Sequence, residues 1–230
     1  MTPSTIIFDL DGTLLNTLDD LHASVSHALS HLGLPPIDRL STRRYLGNGV
    51  RQLVYSCVAH VSPTADDSTK AEALHIFRQH YIQHSMDTTA PYPGVMDMLH
   101  QCKQAGITTA IVSNKLDEAV KDLHRRFFAD SIDLAIGETP DVKRKPAPDM
   151  VLKAIELLSA KTKQPTRKAD CLYVGDSEVD LQTAAAAELP CVAVSWGFRD
   201  REWIEQCGAT CIIDRPSELL SVLPSLAAKP

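Results

Sequence analysis

Residues 8–14 of the chain read FDLDGTL. They overlap the apolar run Ser4–Leu10, which is typical of a buried β-strand. Asp9 and Asp11 are two residues apart, so the alternation of side chains along a strand points both carboxylates to the same side. Two like charges this close cost free energy unless a cation or a shared proton holds them. Gly12 permits a sharp turn and lets its amide approach an anion closely. The motif therefore predicts an acidic site where the first strand of a sheet ends.

Further short apolar runs, rich in β-branched residues, follow this strand and alternate with helical patterns. Their continuous hydrophobicity indicates strands that are buried on both faces, as in a parallel sheet. The alternation predicts a doubly wound, Rossmann-like α/β domain. We expect strands at Ile107–Ser113, Ile132–Gly137, Cys171–Gly175, Cys191–Ser195 and Thr210–Ile213, and helices at Val95–Gln104, Lys115–Phe128, Asp149–Leu158, Glu178–Glu188 and Arg201–Cys207.

A long segment interrupts this alternation, because no strand pattern appears between the first strand and Ile107. The segment reads as helices separated by turns rich in proline. An all-helical block inserted after the first strand predicts a second, smaller domain. We expect the α/β core at residues 1–15 and 90–230, the helical domain at 16–89, and a frayed tail from residue 226. The helices of the insert are expected at Leu18–Leu32, Arg39–Leu46, Val50–His60 and Ala65–His84.

Composition narrows the class of protein. The 230 residues carry 23 Lys and Arg against 29 Asp and Glu, for a net charge of -6, so nucleic acid is not an expected partner. No apolar run approaches the roughly 18 residues that span a bilayer, and the N-terminus lacks the pattern of a signal peptide. The six cysteines include no CxxC pair, which favours reduced thiols over a metal site. We expect a cytoplasmic protein with no membrane partner.

Polar residues follow three later strands. Ser113 and Asn114 end one strand, where a hydroxyl and nearby amides can hold phosphate oxygens, although an ordinary helix N-cap is the alternative. Lys145 suits a counter-ion to phosphate, and a solvated basic loop is its alternative. Asp176 and Asp180 suit a hard cation such as Mg²⁺, whereas acids that complement a helix dipole would be the structural alternative.

These segments are expected at the carboxyl ends of three strands and in the loop after a fourth, where ligand crevices form in open α/β sheets. An acid pair, a hydroxyl, a lysine and a second acid cluster fit phosphoryl transfer. In that chemistry a carboxylate attacks phosphorus, a cation and a lysine neutralise the phosphoryl charge, and a second carboxylate moves the proton.

On these motifs the chain resembles the haloacid dehalogenase superfamily, in its phosphatase branch. The sequence has DxDGT at residues 9–13, Ser113, Lys145 followed by proline, and GDSxxD at residues 175–180, in that order over essentially the whole chain. The helical insert resembles the cap that this branch places after its first motif. The resemblance implies Mg²⁺ as cofactor, a small phosphorylated metabolite as partner, and a cap that closes over the substrate and reopens to release product.

The resemblance also implies a role for each motif residue. Asp9 would be the nucleophile that forms an aspartyl-phosphate, and Asp11 would protonate the leaving group and then activate water. Asp176 would bind Mg²⁺ together with Asp9 and the backbone carbonyl of Asp11, and Asp180 would support the metal or the lysine. The phosphate-binding residues would be Gly12, Thr13, Ser113, Asn114 and Lys145.

Within the branch, the chain is most similar to phosphoglycolate phosphatases. Residues 46–53 read LGNGVRQL, similar to a Gly-x-Gly segment that those enzymes use near the substrate. Gly47, Asn48, Gly49 and Arg51 would therefore set substrate choice. Asn16 departs from the pattern, since many relatives have aspartate there; it lies beyond the catalytic pair and would affect the hinge into the cap.

The insert also holds two histidine pairs at helical i,i+4 spacing, His27 with His31 and His80 with His84. Such pairs can bind a metal ion. The sequence alone identifies no third ligand, so surface or packed histidines are the simpler expectation.

The expected function is Mg²⁺-dependent hydrolysis of a small phosphate monoester, with 2-phosphoglycolate as the favoured substrate. A sugar-phosphate mutase similar to β-phosphoglucomutase, or a pyrophosphatase or nucleotidase, would use the same motifs. From another class, a phospho-accepting receiver module would also combine acids, Mg²⁺, a hydroxyl and a lysine, but its acceptor aspartate normally lies on a later strand. The sequence leaves open a monomer or a homodimer, and Mg²⁺ or Mn²⁺.

Overall fold

The structure, a computed structural model, describes residues 3–162 and 165–226. These residues form two compact units. The first, here the α/β unit, comprises the residues up to Leu14 together with those from Pro91 onward, and the second, the helical unit, is Leu15–Ala90. Across both described stretches, no helix combines the length and the hydropathy needed to cross a membrane.

The α/β unit is built on a six-stranded sheet with the order β5-β4-β1-β6-β7-β8, in which every neighbouring pair is parallel. The chain adds strands on one side of β1 and then crosses to the other side, which creates a topological switch point beside the central strand. The predicted doubly wound sheet is thus confirmed. Its strands are β1 (Thr5–Phe8), β4 (Thr108–Leu116), β5 (Leu134–Glu138), β6 (Cys171–Gly175), β7 (Cys191–Val194) and β8 (Ile212–Ile213).

Helices complete the α/β unit, and β1 itself is fully buried, as its unbroken apolar sequence requires. Residues of β1, β4 and β6 pack with the apolar face of α7 (Asp149–Thr162) in one core, which includes Ile7, Val112, Tyr173 and Leu158. The helices are α5 (Val95–Gln104), α6 (Asp117–Phe127), α7 (Asp149–Thr162), α8 (Glu178–Ala187), α9 (Arg201–Gln206) and α10 (Leu219–Leu226).

The helical unit contains α1 (Leu18–His31), α2 (Arg39–Arg44), α3 (Gly49–Val61) and α4 (Asp67–His84). Where the chain enters and leaves this unit, two short strands, β2 (Leu15–Asn16) and β3 (Ala90–Pro91), pair with each other. Apolar side chains at helical spacing, among them Leu21, Val25 and Leu29, are buried on one face of α1, and Phe77 is buried on α4. The carboxylate of Asp66 caps α4 by accepting a hydrogen bond from the backbone of Thr69.

The predicted end of β4 is wrong. The strand expected to end at Ser113 continues to Leu116, so Ser113 and Asn114 are not a helix N-cap and the expected helix start at Lys115 is a strand residue. The extension is possible because the register against β5 shifts after Val112, and Leu116 then pairs with Glu138. Helix α7 runs four residues beyond its expected end at Leu158, to Thr162. The remaining bounds move by at most two residues. Helix α10 was not expected: Leu226 ends it, and the rest of the predicted tail lies outside the described residues.

Candidate active site at the carboxyl ends of the strands

Three buried aspartates meet where β1 and β6 end. Asp9 follows β1, Asp176 follows β6, and Asp180 lies in the first turn of α8. One carboxylate oxygen of each lies within 4.8 Å of those of the other two. We call these three residues the acidic cluster. Like charges this close, taken out of water, require a cation or a bound proton to compensate them.

Lys145, from the loop after β5, supplies one positive charge to this cluster. Its Nζ lies 2.7 Å from Oδ1 of Asp9 and 2.8 Å from Oδ1 of Asp180, and it donates a hydrogen bond to the hydroxyl of Tyr173 at 3.1 Å. Burial acts to lower the pKa of Lys145, but the two carboxylates outweigh it and raise that pKa well above its usual range. The side chain is therefore a fixed ammonium, with one acceptor for each of its three N–H groups.

The charges of the acidic cluster do not balance. Three carboxylates face one ammonium, since the nearby guanidinium of Arg199 is already paired with Glu178 at 2.8 Å. Burial raises the pKa of Asp9 well above its usual range, while Lys145 opposes the shift. Burial, followed by the charge of Asp180, raises the pKa of Asp176 to about 7. The donor atoms are carboxylate oxygens, the type that Mg²⁺ prefers. The residues thus fit a hard divalent cation, which would cancel the excess negative charge and favour the ionised acids.

Asp180 is the member of the cluster whose oxygens are already fully engaged. Its Oδ1 accepts hydrogen bonds from Lys145 and from the hydroxyl of Tyr173, at 2.8 and 3.1 Å. Its Oδ2 accepts from the backbone N–H groups of Asp176 and Ser177 and from the Ser177 hydroxyl, at 3.2, 3.1 and 2.6 Å. Because Asp180 also closes the capping box of α8, it fixes the lysine and the start of that helix.

Asp176 is held by neutral donors and enclosed by two glycines. Its Oδ1 accepts a hydrogen bond from the Thr13 hydroxyl at 3.1 Å, and its Oδ2 accepts one from the Phe198 backbone N–H at 2.7 Å. A Cβ atom on Gly12, which has a φ of +95°, would lie 2.4 Å from Oδ2, and a Cβ on Gly197 would lie 2.4 Å from the Cβ of Asp176. Only glycine allows the backbone to approach this carboxylate so closely.

Asp11 forms a separate ion pair with a lysine that sequence analysis did not single out. Its Oδ1 lies 3.0 Å from Nζ of Lys115, whose side chain is only 4% exposed, whereas that of Asp11 is 19% exposed. Ser113 is buried, and its Oγ accepts a hydrogen bond from the Lys115 backbone at 3.2 Å. Strand alternation places residues 113 and 115 on the same side of β4, a signal hidden by the predicted early end of that strand.

Asn114 ties β4 to the loop that carries the active-site lysine. Its side-chain NH₂ donates to the carbonyl of Lys145 at 3.0 Å, and its Oδ1 accepts from the backbone N–H of Lys145 at 2.9 Å. Asn114, which the sequence marked for phosphate, thus forms a reciprocal pair with the backbone of Lys145. Sequence reasoning also missed Tyr173. It could have been found because it carries the one hydroxyl in a strand, β6, whose other residues are apolar.

The four residues expected to set substrate choice belong to the helical unit. Gly47 and Gly49 both have a positive φ, at 103° and 78°, and Asn48 between them is the N-cap of α3. The guanidinium of Arg51 lies over the ring of Tyr55, 5.0 Å from its centroid. Glycines at 47 and 49 allow this turn before α3.

Known proteins resemble this chain in sequence and in fold. The model of the family described as haloacid dehalogenase-like hydrolase matches residues 6–194. A phosphoglycolate phosphatase of Pseudomonas putida is 32% identical over 228 residues, 98% of this chain and 80% of that protein. One from Mesorhizobium japonicum is 33% identical over 208 residues, 87% of this chain and 86% of that protein. The crystal structure of a candidate phosphoglycolate phosphatase from Lactobacillus delbrueckii subsp. bulgaricus matches with a TM-score of 0.88 and 31% identity, covering 100% of both chains.

Proposed function

This chain belongs to the haloacid dehalogenase-like hydrolase family and is a phosphatase similar to the phosphoglycolate phosphatases, and from that premise we propose that it hydrolyses 2-phosphoglycolate or a closely similar small phosphate monoester. The observation that carries the proposal is the acidic cluster. Three buried carboxylates face the ammonium of Lys145 at the carboxyl edge of a parallel sheet. This charge pattern serves phosphoryl transfer, and it would only destabilise a protein that did not use it.

Asp9 is the proposed nucleophile. It attacks phosphorus and forms an aspartyl-phosphate, and Lys145, 2.7 Å away, holds the phosphoryl oxygens that lie beside it. Ser113 and the backbone around Gly12 and Thr13 complete the phosphate site. A divalent cation such as Mg²⁺, held by Asp9, Asp176 and the backbone carbonyl of Asp11, would neutralise the negative charge that substrate and carboxylates bring together.

Asp11 is the proposed acid–base. It gives a proton to the leaving oxygen and then removes one from the water that attacks the aspartyl-phosphate. Its carboxylate is partly exposed, in contrast to that of Asp9, as a group that must meet both a leaving group and water requires. Lys115 fixes the orientation of this carboxylate through the ion pair. Asn114 acts indirectly, by holding the backbone of Lys145.

The helical domain at residues 16–89 is the proposed specificity domain. Gly47, Asn48, Gly49 and Arg51 would select the part of the substrate that does not react. We expect Arg51→Ala and Gly49→Val to change the ranking of substrates and to leave the hydrolysis of very small phosphate esters close to wild type. Equal loss on every substrate would contradict this role.

The deciding experiment is phosphate release from 2-phosphoglycolate, hexose phosphates, nucleotides and pyrophosphate, with Mg²⁺ and with EDTA. We expect metal-dependent turnover with 2-phosphoglycolate preferred. Preference for pyrophosphate or nucleotides would replace the substrate but keep the chemistry. Transfer of phosphate between sugars, or a stable phospho-aspartate without turnover, would instead identify a mutase or a receiver module and overturn the proposal.

A further inference from the structure

The two histidine pairs of the helical unit, which take no part in the proposed chemistry, meet on its surface. His27 and His31 lie one turn apart on α1, and His80 and His84 lie one turn apart on α4. Ring centroids are 6.3 Å apart for His27 and His31, 4.2 Å for His27 and His80, and 4.2 Å for His80 and His84. We call these four residues the histidine cluster. The neighbouring helix thus supplies the third and fourth imidazoles that neither pair has alone.

Hydrogen bonds fix the tautomer of His80. The Ser24 hydroxyl donates its proton to the backbone carbonyl of Asp20 at 2.9 Å, and it lies 3.0 Å from Nδ1 of His80. Because that hydroxyl has a single proton, it must accept from His80, so Nδ1 carries the hydrogen. Nε2 of the neutral ring then holds the lone pair that a metal ion needs.

His84 is oriented in the same way by a carboxylate. Its Nδ1 lies 2.7 Å from Oδ2 of Asp87, which can only accept, so the hydrogen again lies on Nδ1 and the lone pair on Nε2. A carboxylate on the far nitrogen is the usual outer partner of metal-binding histidines, and it raises the basicity of the ligating nitrogen. Burial and the neighbouring imidazoles of His27 and His84 lower the pKa of His80, which favours the neutral ring that binds metal.

We propose that the histidine cluster binds one divalent transition-metal ion, with His27, His80 and His84 as the main ligands and His31 as the fourth. Imidazole nitrogen selects Zn²⁺, Ni²⁺ or Cu²⁺ and not Mg²⁺. The rings of His80 and its two neighbours are now stacked, with interplanar angles of 26° and 24°, so their nitrogen atoms do not yet converge. Convergence on one ion requires His27, His31 and His84 to rotate toward Nε2 of His80. His27 and His31 are exposed, and Asp87, the partner of His84, is exposed as well, so these rotations cost little.

An ion held this way would link α1 to α4, which form much of the helical unit. Binding to the folded state alone raises the free energy of unfolding in proportion to the logarithm of the free metal concentration over the dissociation constant. The site therefore provides a stabilising device that is separate from the acidic cluster.

The test is calorimetric titration of the untagged protein with Ni²⁺ in excess Mg²⁺, which occupies oxygen sites. We expect one Ni²⁺ per chain. His80→Gln, at the centre of the cluster, should weaken binding at least about tenfold, His84→Gln similarly, and His31→Gln least. His75→Gln is the matched control, because His75 is exposed on the same helix and outside the cluster. Circular dichroism should show the same helix content in all variants.

A second readout is thermal. Ni²⁺ should raise the Tm of wild type and of His75→Gln, and this shift should vanish in the double variant His80→Gln with His84→Gln. Unchanged Ni²⁺ affinity in that double variant would overturn the proposal, as would an equal loss in His75→Gln. Loss in Asp176→Asn alone would place the ion at the acidic cluster and would also overturn it.

Discussion

The helical unit and the α/β unit both bury aspartate, but they stabilise its charge in different ways. In the helical unit, Asp20 accepts hydrogen bonds from the backbone N–H of Thr88 at 2.9 Å and of Thr89 at 3.0 Å, and from both threonine hydroxyls. All of these donors are neutral. In the α/β unit, the acidic cluster places three carboxylates within reach of one another and of a single ammonium.

The difference separates a structural carboxylate from a reactive one. The charge of Asp20 is distributed over four neutral donors of two adjacent residues, Thr88 and Thr89, and these bonds fix the segment after α4 against α1. The acidic cluster has more buried carboxylates than neighbouring cations, and their ionisation is unfavourable until a further cation binds. Burial does not distinguish these two cases, since both sites are buried. What distinguishes them is whether hydrogen-bond donors and cations balance the carboxylate charges.

The largest expected effect is the loss of turnover in Asp9→Asn. An amide cannot form an acyl-phosphate, so we expect kcat to fall at least about 10⁴-fold, as for removal of other nucleophiles. Phosphate release with 2-phosphoglycolate and Mg²⁺ measures it. Asp141→Asn, on an exposed loop, is the control and should retain wild-type kcat. Turnover of Asp9→Asn within tenfold of wild type would remove Asp9 from the chemistry.

Removal of the Lys145 ammonium should have the next largest effect. In Lys145→Met the acidic cluster keeps three carboxylates and loses its ammonium, so we expect a loss of about 3–5 kcal/mol in the free energy of unfolding without metal. Urea denaturation with and without Mg²⁺ measures this loss, and Mg²⁺ should restore part of it. Lys153→Met, which breaks an exposed pair with Glu156, should change stability far less. Equal losses would mean that the cluster is not short of positive charge.

The acidic cluster also predicts how stability depends on pH. The folded-state pKa of Asp176 is about 7, against an ordinary value of 3.8, because of burial and then the charge of Asp180. Between these two values the folded protein binds more protons than the unfolded chain, so stability without metal should fall as pH rises through that window. Mg²⁺ favours the ionised acids and should raise Tm more at pH 8 than at pH 5. Equal shifts at both pH values would contradict the raised pKa.

The local sequence was sufficient to predict the acids that follow the strands of the α/β unit. The acids of FDLDGTL and GDSEVD follow apolar strands, and the fold brings Asp9, Asp176 and Asp180 together, because carboxyl ends of neighbouring parallel strands share one edge. Lys145 reaches them from a loop whose course the sequence does not specify.

What the sequence did not reveal depends on contacts between distant residues. Lys115 was missed because β4 runs three residues further than its apolar pattern, held by pairing with β5. Asn114 and Lys145 are 31 positions apart, and Asp20 and Thr88 are 68 apart, so neither pairing is visible in a local pattern. The histidine pairs were visible separately, and only the packing of α1 on α4 joins them.

The smallest expected effect is the change in the free energy of unfolding when a buried aspartate is replaced by asparagine. It gives the sharpest contrast, because its sign should differ between the two units. Both carboxylate oxygens of Asp20 accept hydrogen bonds from backbone N–H groups, which cannot act as acceptors. In Asp20→Asn the new NH₂ group must therefore face one of these donors. We expect a loss of about 1–3 kcal/mol in the free energy of unfolding.

In Asp176→Asn, Oδ1 of the new amide can keep the bond from the Phe198 N–H, and its NH₂ can donate to the Thr13 hydroxyl, which accepts as readily as it donates. The substitution also removes one buried negative charge, so at pH 8 without metal we expect stability equal to or above wild type. Urea unfolding of both variants under that condition provides the comparison. Destabilisation of both by similar amounts would mean that the carboxylates of the two units differ in partners but not in the balance of charge.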